Sequence, residues 1–338
     1  MNRRVALRAG QAAVSVGLLA YLLATVPMHD VTQALLGARH VWVIGGLAAV
    51  LAAQLIGALQ MRLILASQGV AFSVCQVAGI NVISSFYGLF LPGSLAGGLI
   101  RWHHFSRPEG KRGPVLAAMM FSRGVEIVTM LGFGVVFWSL SATEGSPASV
   151  ILILALALTA MVSSILFLVS RAQHSLLAAT LPRLPLPRRL RDGIFEVSAC
   201  LAEFGRHGRR HHIRFISLCI VRNAFAVAAF VCFARGVGMS ASFADLGWVR
   251  SAIDLLLILP ISIAGVGVRD ASLVALLSPL GVSSSTALAF SFALLGVTLL
   301  IAMIGGLVEA LRVYYGVAPG FTERAVKSST RGPLHNER

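Results

Sequence analysis

Apolar stretches of about 20 residues leave a chain few choices, because in hydrocarbon every backbone N–H and C=O must be satisfied within the protein. Such stretches read as transmembrane helices. Six full spans are predicted, at about 8–26, 41–62, 115–140, 148–169, 213–235 and 285–311. Composition agrees: 57% of the 338 residues are hydrophobic and only 12% are charged, against roughly 25% charged residues in a soluble domain. There is length for one membrane domain, about 1–315, and little for a soluble catalytic one.

Two further apolar stretches, about 72–106 and 245–280, are interrupted near their middles. The interruptions are Leu91-Pro92-Gly93-Ser94-Leu95-Ala96-Gly97-Gly98 and Leu259-Pro260-Ile261-Ser262-Ile263-Ala264-Gly265-Val266-Gly267. Neither half of either stretch makes a comfortable span, so each is expected to be a re-entrant hairpin or a pair of short tilted helices. At a shift of 168 residues, Leu91, Pro92, Ser94, Ala96, Gly97 and Arg101 meet Leu259, Pro260, Ser262, Ala264, Gly265 and Arg269, six identities in eleven positions. One residue of extra shift pairs Ala118, Phe121 and Ser122 with Ala287, Phe290 and Ser291. Two repeat halves are therefore expected, about 41–140 and 209–311. The fold class is an all-α polytopic membrane protein with inverted repeats, an arrangement common in secondary transporters.

The formal net charge of +15 invites a nucleic-acid partner, but its distribution argues against one. About 22 of the 28 Lys and Arg fall in or beside the segments 1–8, 62–114, 170–212 and 312–338, whereas the loops 27–40 and 141–147 hold only Arg39. That asymmetry marks cytoplasmic segments. It puts the N-terminus, the 170–212 linker and the basic, disordered 316–338 tail in the cytoplasm of a bacterial inner-membrane protein. The opening Met1-Asn2-Arg3-Arg4 and the apolar run after it read as a retained first helix, not a cleaved signal peptide.

Within the linker, Pro182, Pro185 and Pro187 exclude continuous helix, and Leu190, Ile194, Val197, Leu201 and Phe204 then recur on one helical face. Flanked by Arg188, Arg189, Arg191, Arg206, Arg209 and Arg210, this helix suits an anionic leaflet; packing on the protein's own loops suits it equally. Cys75, Cys200, Cys219 and Cys232 form no CxxC, and no disulfide is expected. His207 and His211 have metal-like spacing but no third ligand nearby, so no metal and no cofactor is expected.

Charges inside a bilayer need a partner or a task. Arg123 and Glu126 are three apart and Arg250 and Asp254 four apart, spacings at which helical side chains pair. Arg222 has no local acid, which points to a substrate or to a distant acid, Asp254 or Glu126. At the breaks, freed backbone N–H groups and the positive ends of the following half-helices favour an anion. Arg101 and Arg269 stand a few residues further on. The candidate headgroup site therefore comprises Pro92, Gly97, Gly98, Arg101, Arg123, Glu126, Arg222, Arg250, Asp254, Pro260, Gly265, Gly267, Arg269 and Asp270.

The run from Asn81 through Leu91-Pro92-Gly93-Ser94-Leu95-Ala96-Gly97-Gly98-Leu99-Ile100-Arg101 resembles the first signature of the lysylphosphatidylglycerol synthase transmembrane region, the flippase-like membrane-protein family. Phe121-Ser122-Arg123 with Glu126 resembles its next element, and Pro260 through Arg269-Asp270 its second signature. The likeness spans roughly 10–315. It implies a stand-alone member without the soluble synthase domain of bifunctional relatives, and a domain that moves phospholipid or serves glycolipid, polyprenyl-phosphate or hopanoid pathways. Leu99 stands where the family usually has an acid, Asp270 where Glu is usual, and Phe292 where a second Arg would mirror Arg123.

The resemblance implies a lipid flippase or lipid-linked transporter for an anionic phospholipid, glycolipid or polyprenyl-phosphate-linked headgroup, with membrane lipids as partners. A membrane-embedded headgroup or acyl transferase is the alternative, but no Ser-His-Asp, HExxH or DxD arrangement occurs, and no enzyme activity is expected. A third reading is a scaffold for a lipid- or glycan-modifying enzyme, docked through the basic linker.

Overall fold

A computed structural model of the protein describes residues 28–90, 96–107, 110–141, 148–170, 175–177, 180, 187–258 and 267–315. Its helices are α1 Met28–Leu36, α2 His40–Ser67, α3 Val74–Phe90, α4 Ala96–Ser106, α5 Arg112–Leu140, α6 Ala148–Val169, α7 Arg188–Phe204, α8 Arg209–Gly236, α9 Phe243–Leu256, α10 Val268–Leu277 and α11 Ser284–Tyr314. Among the described residues there are no strands. The chain is an all-α polytopic membrane protein.

Five helices are long and apolar enough to cross a membrane: His40–Ser67, Arg112–Leu140, Ser149–Leu168, Arg209–Gly236 and Ser284–Arg312. They fall on five of the six predicted spans; the sixth, 8–26, lies outside the described residues, as does the 316–338 tail. At about 1.5 Å per residue, the 29 residues of α5 extend about 43 Å, beyond the roughly 30 Å hydrocarbon core. In contrast, α3, α4, α9 and α10 have 17, 11, 14 and 10 residues. Each is shorter than a span of about 20 residues. The Pro-containing breaks between them, 91–95 and 259–266, lie outside the described residues.

The order long, short, short, long occurs twice, as α2–α5 and as α8–α11. The contacts exchange between these sets: α3 packs on α11, α9 packs on α5, and α2 lies along α8. Both crossings rest on glycine. A Cβ on Gly305 of α11 would overlap the carbonyl of Val82 in α3, and one on Gly306 would come within 2.7 Å of the Phe86 ring. A Cβ on Gly134 of α5 would come within 2.7 Å of Ser251 Cβ in α9. Without a hydrophobic drive between helices in lipid, small residues that permit such approach supply the packing. Ser251 adds a hydrogen bond, its Oγ donating to the Met130 carbonyl at 3.0 Å.

The two largest apolar clusters among the described residues lie between these helices. One joins α8, α9 and α11 around Trp248, Phe230 and Phe290. The other joins α2, α4, α5, α7 and α8 around Phe105, Phe121, Phe204 and Phe215. The linker helix α7 belongs to the second. Leu201 and Phe204 are buried, and the Phe204 ring stacks on Phe121 at 4.7 Å and 10°. The last turn of the apolar face predicted for this helix is thus spent on the protein itself, against a membrane-spanning helix and not against loops.

Candidate functional site

Midway along α5, Glu126 has about 20 Å of helix on either side at 1.5 Å per residue; Arg222 is as central in α8. An unpaired charge at that depth costs roughly 2.5–3.5 kcal/mol, and the fold answers by bringing the two together. Arg222 Nη1 lies 2.5 Å from Glu126 Oε1. The same carboxylate faces Arg123 Nη1 at 3.4 Å and accepts a hydrogen bond from Gln60 Nε2 at 3.1 Å. Gln60 is fully buried in α2 and also donates to Ser122 Oγ at 3.1 Å. Arg222 reaches Glu126 across Gly57 of α2, where an added Cβ would stand 3.1 Å from its Nε. The next residue of α8, Asn223, donates through Nδ2 to Thr129 Oγ1 at 2.8 Å, tying α8 to α5 again.

Arg101 of α4 completes the cluster. It acts electrostatically on Glu126 together with Arg222 and Arg123. Its Nε is sealed from solvent and has no hydrogen-bond partner. Two guanidinium groups thus pair with one carboxylate, and a third acts on it. In the same helix Gly97 meets the Ser84 carbonyl of α3, where a Cβ would stand at 3.2 Å, while Gly98 has open space in front of it.

Arg269, the counterpart of Arg101 in the sequence repeat, is placed differently. It is buried, its Nε donates to Ser291 Oγ at 3.2 Å, and its Nη2 lies 3.7 Å from Asp270 Oδ1. Ser291 Oγ in turn donates to Asp270, and the N–H of Gly267, at φ +80°, donates to Asp270 Oδ2 at 2.9 Å. Arg269 Nη2 is itself sealed from solvent and has no hydrogen-bond partner. Arg269 thus has its own acid and serine beside it, whereas Arg101 acts on Glu126.

Of the other predicted site residues, Arg250 and Asp254 pair with each other at 3.0 Å on α9. Pro92, Pro260 and Gly265 lie outside the described residues. Sequence spacing reads the Arg123–Glu126 and Arg250–Asp254 pairs and names Glu126 among the two acids open to Arg222. Gln60 escapes it, because a neutral side chain inside an apolar span carries no charge to be accounted for. Glu309 accepts from Tyr87 at 3.3 Å and faces Arg312 at 3.5 Å, joining α11 to α3.

The family model for the lysylphosphatidylglycerol synthase transmembrane region matches residues 8–306. The chain belongs to that family. No curated protein and no solved structure matches it. In this member of the lysylphosphatidylglycerol synthase transmembrane family, the element Phe121-Ser122-Arg123 with Glu126 is the one that gathers the charge cluster. At the corresponding place in the second half, Phe292 packs against the apolar group of Val31, Leu288 and Ala289.

Proposed function

We propose that this protein binds the anionic headgroup of a membrane lipid at the Arg101–Arg123–Glu126–Arg222 cluster and moves it across the bilayer, as a flippase or lipid-linked transporter. The observation that carries this reading is the gathering of Arg123 and Arg222 on the single carboxylate of Glu126, midway along α5 and α8, with Arg101 of the short α4 acting on the same acid. Glu126 neutralises one cation, most closely Arg222, and an anion from outside the chain is needed to neutralise the rest. A phosphate on a phospholipid, glycolipid or polyprenyl carrier has that charge, and Arg binds it through a planar fork of donors. The doubled long–short–short–long order supports two inverted halves that rock about the site.

The test is movement of a labelled anionic lipid in proteoliposomes, with a zwitterionic lipid beside it. Arg101→Ala is expected to lower transport of the anionic lipid about ten- to hundredfold, the loss of a charge-assisted contact worth roughly 1.5–3 kcal/mol. Arg101→Lys is expected to recover part of it, since a point charge lacks the fork. Wild-type rates in Arg101→Ala would remove the cluster from the transport path.

The same proposal places the basic linker and both termini in the cytoplasm of a bacterial inner membrane, because the linker concentrates Arg. Thr180→Cys in a cysteine-free background is expected to react with an impermeant maleimide only after cells are opened. Labelling in intact cells would reverse the orientation.

A further inference from the structure

Beside the charge cluster runs an apolar trough. A cavity of about 710 Å³ opens between α4, α5, α6 and α7, with Arg123 on its wall. A second, of about 570 Å³, continues it toward Arg112 and α7, and the two share Trp102, Leu116, Met120, Leu168 and Leu201. Each lies in the roughly 300–1,000 Å³ range of ligand pockets. Met119, Met120 and Met161 contribute to the first; unbranched, polarizable side chains adapt to a flexible occupant. Gly98 and Leu99 form its edge at α4: nothing stands within 4 Å of a Cβ placed on Gly98, and Leu99 is 61% exposed.

The charge at the trough decides its occupant. The Arg123 side chain is 64% exposed, and its carboxylate partner is held more closely by Arg222, at 2.5 Å against 3.4 Å. A guanidinium so placed is open to a phosphate, while an alkyl chain attached to that phosphate has the length of the trough beside it. The geometry points to a lateral lipid site: one hydrocarbon chain of an anionic membrane lipid lies in the trough with its phosphate on Arg123. This goes beyond the headgroup cluster by assigning a place to the tail. It rests on the proposed function only in taking Arg123 as a phosphate contact.

Trp102 lines both cavities and is a reporter already in place. The full chain is reconstituted into nanodiscs of unlabelled lipid containing increasing fractions of phosphatidylglycerol or phosphatidylcholine with brominated acyl chains. The part of the tryptophan quenching that disappears in Trp102→Phe reports trough occupancy. Half-quenching is expected at a roughly fivefold lower fraction of the brominated phosphatidylglycerol, the effect of about one basic residue on an anionic lipid. Arg123→Gln is expected to bring the two curves together, and Arg123→Lys to keep them apart. Gly98→Leu, which fills the open edge, is expected to weaken Trp102 quenching by both lipids. Identical curves in the wild type, or selectivity that survives Arg123→Gln, would overturn the site. Quenching requires no transport, so selective quenching without flux would leave the site standing and remove the function. Flux with unselective quenching would do the reverse.

Discussion

Arg222→Met is expected to destabilise the protein by about 3–5 kcal/mol, the range for removing one partner of a buried ion pair. The Arg222 and Glu126 side chains are 31% and 16% accessible, and both stand midway along their helices. Losing Arg222 leaves Glu126 with Arg123, which is further away and 64% exposed, and with the electrostatic influence of Arg101. Glu126→Gln is expected to be costly for the opposite reason, since it leaves the arginines without their carboxylate. The double substitution is expected to cost far less than the two singles together, with a coupling of about 2–3 kcal/mol. An amide at 126 still offers Gln60 a carbonyl to donate to, which keeps α2 joined to α5. Unfolding midpoints of the four proteins in one detergent measure the cycle. Additive effects would mean that the 2.5 Å approach contributes nothing and that each charge is satisfied elsewhere.

The same cluster shows where sequence reasoning succeeds and where it stops. Hydropathy finds α2, α5, α6, α8 and α11, because a helix in lipid must be continuous and apolar over a fixed length. Spacing finds Arg123–Glu126 and Arg250–Asp254, because helical geometry alone brings residues three or four apart together. It cannot choose between Glu126 and Asp254 for Arg222, since that depends on α8 lying against α5 and on Gly57 leaving room for the side chain.

The linker helix gives the complementary case. Its apolar spacing identifies Leu201 and Phe204 as one face, and both are buried. Spacing says nothing of what that face meets, and a stacked phenylalanine pair with Phe121 answers only in three dimensions. The repeat conceals a difference in the same way. Arg101 and Arg269 are identical in register, yet Asp270 follows Arg269 where Trp102 follows Arg101. That one neighbour turns a repeated residue into two environments.

Arg101 and Arg269 are accordingly expected to fail in different assays. Arg269 is 8% exposed and Asp270 2%. With Arg269 gone, Asp270 keeps the Gly267 N–H and the Ser291 hydroxyl as donors but loses its cation. Arg269→Ala is therefore expected to lower stability by about 3–5 kcal/mol, as for a broken buried pair. Arg269→Met combined with Asp270→Asn is expected to recover much of that, because it removes both charges and keeps an acceptor for the Gly267 N–H. The surviving folded protein in each case is expected to transport at close to the wild-type rate per molecule. Arg101→Ala is expected to show the opposite pattern: an unfolding midpoint near wild type, since its Nε has no partner to lose, and the ten- to hundredfold loss of transport given above. Unfolding and flux measured on the same preparations separate the two. Wild-type stability with lost transport in Arg269→Ala would make Arg269 a headgroup ligand, and would extend the site beyond the Arg101–Arg123–Glu126–Arg222 cluster.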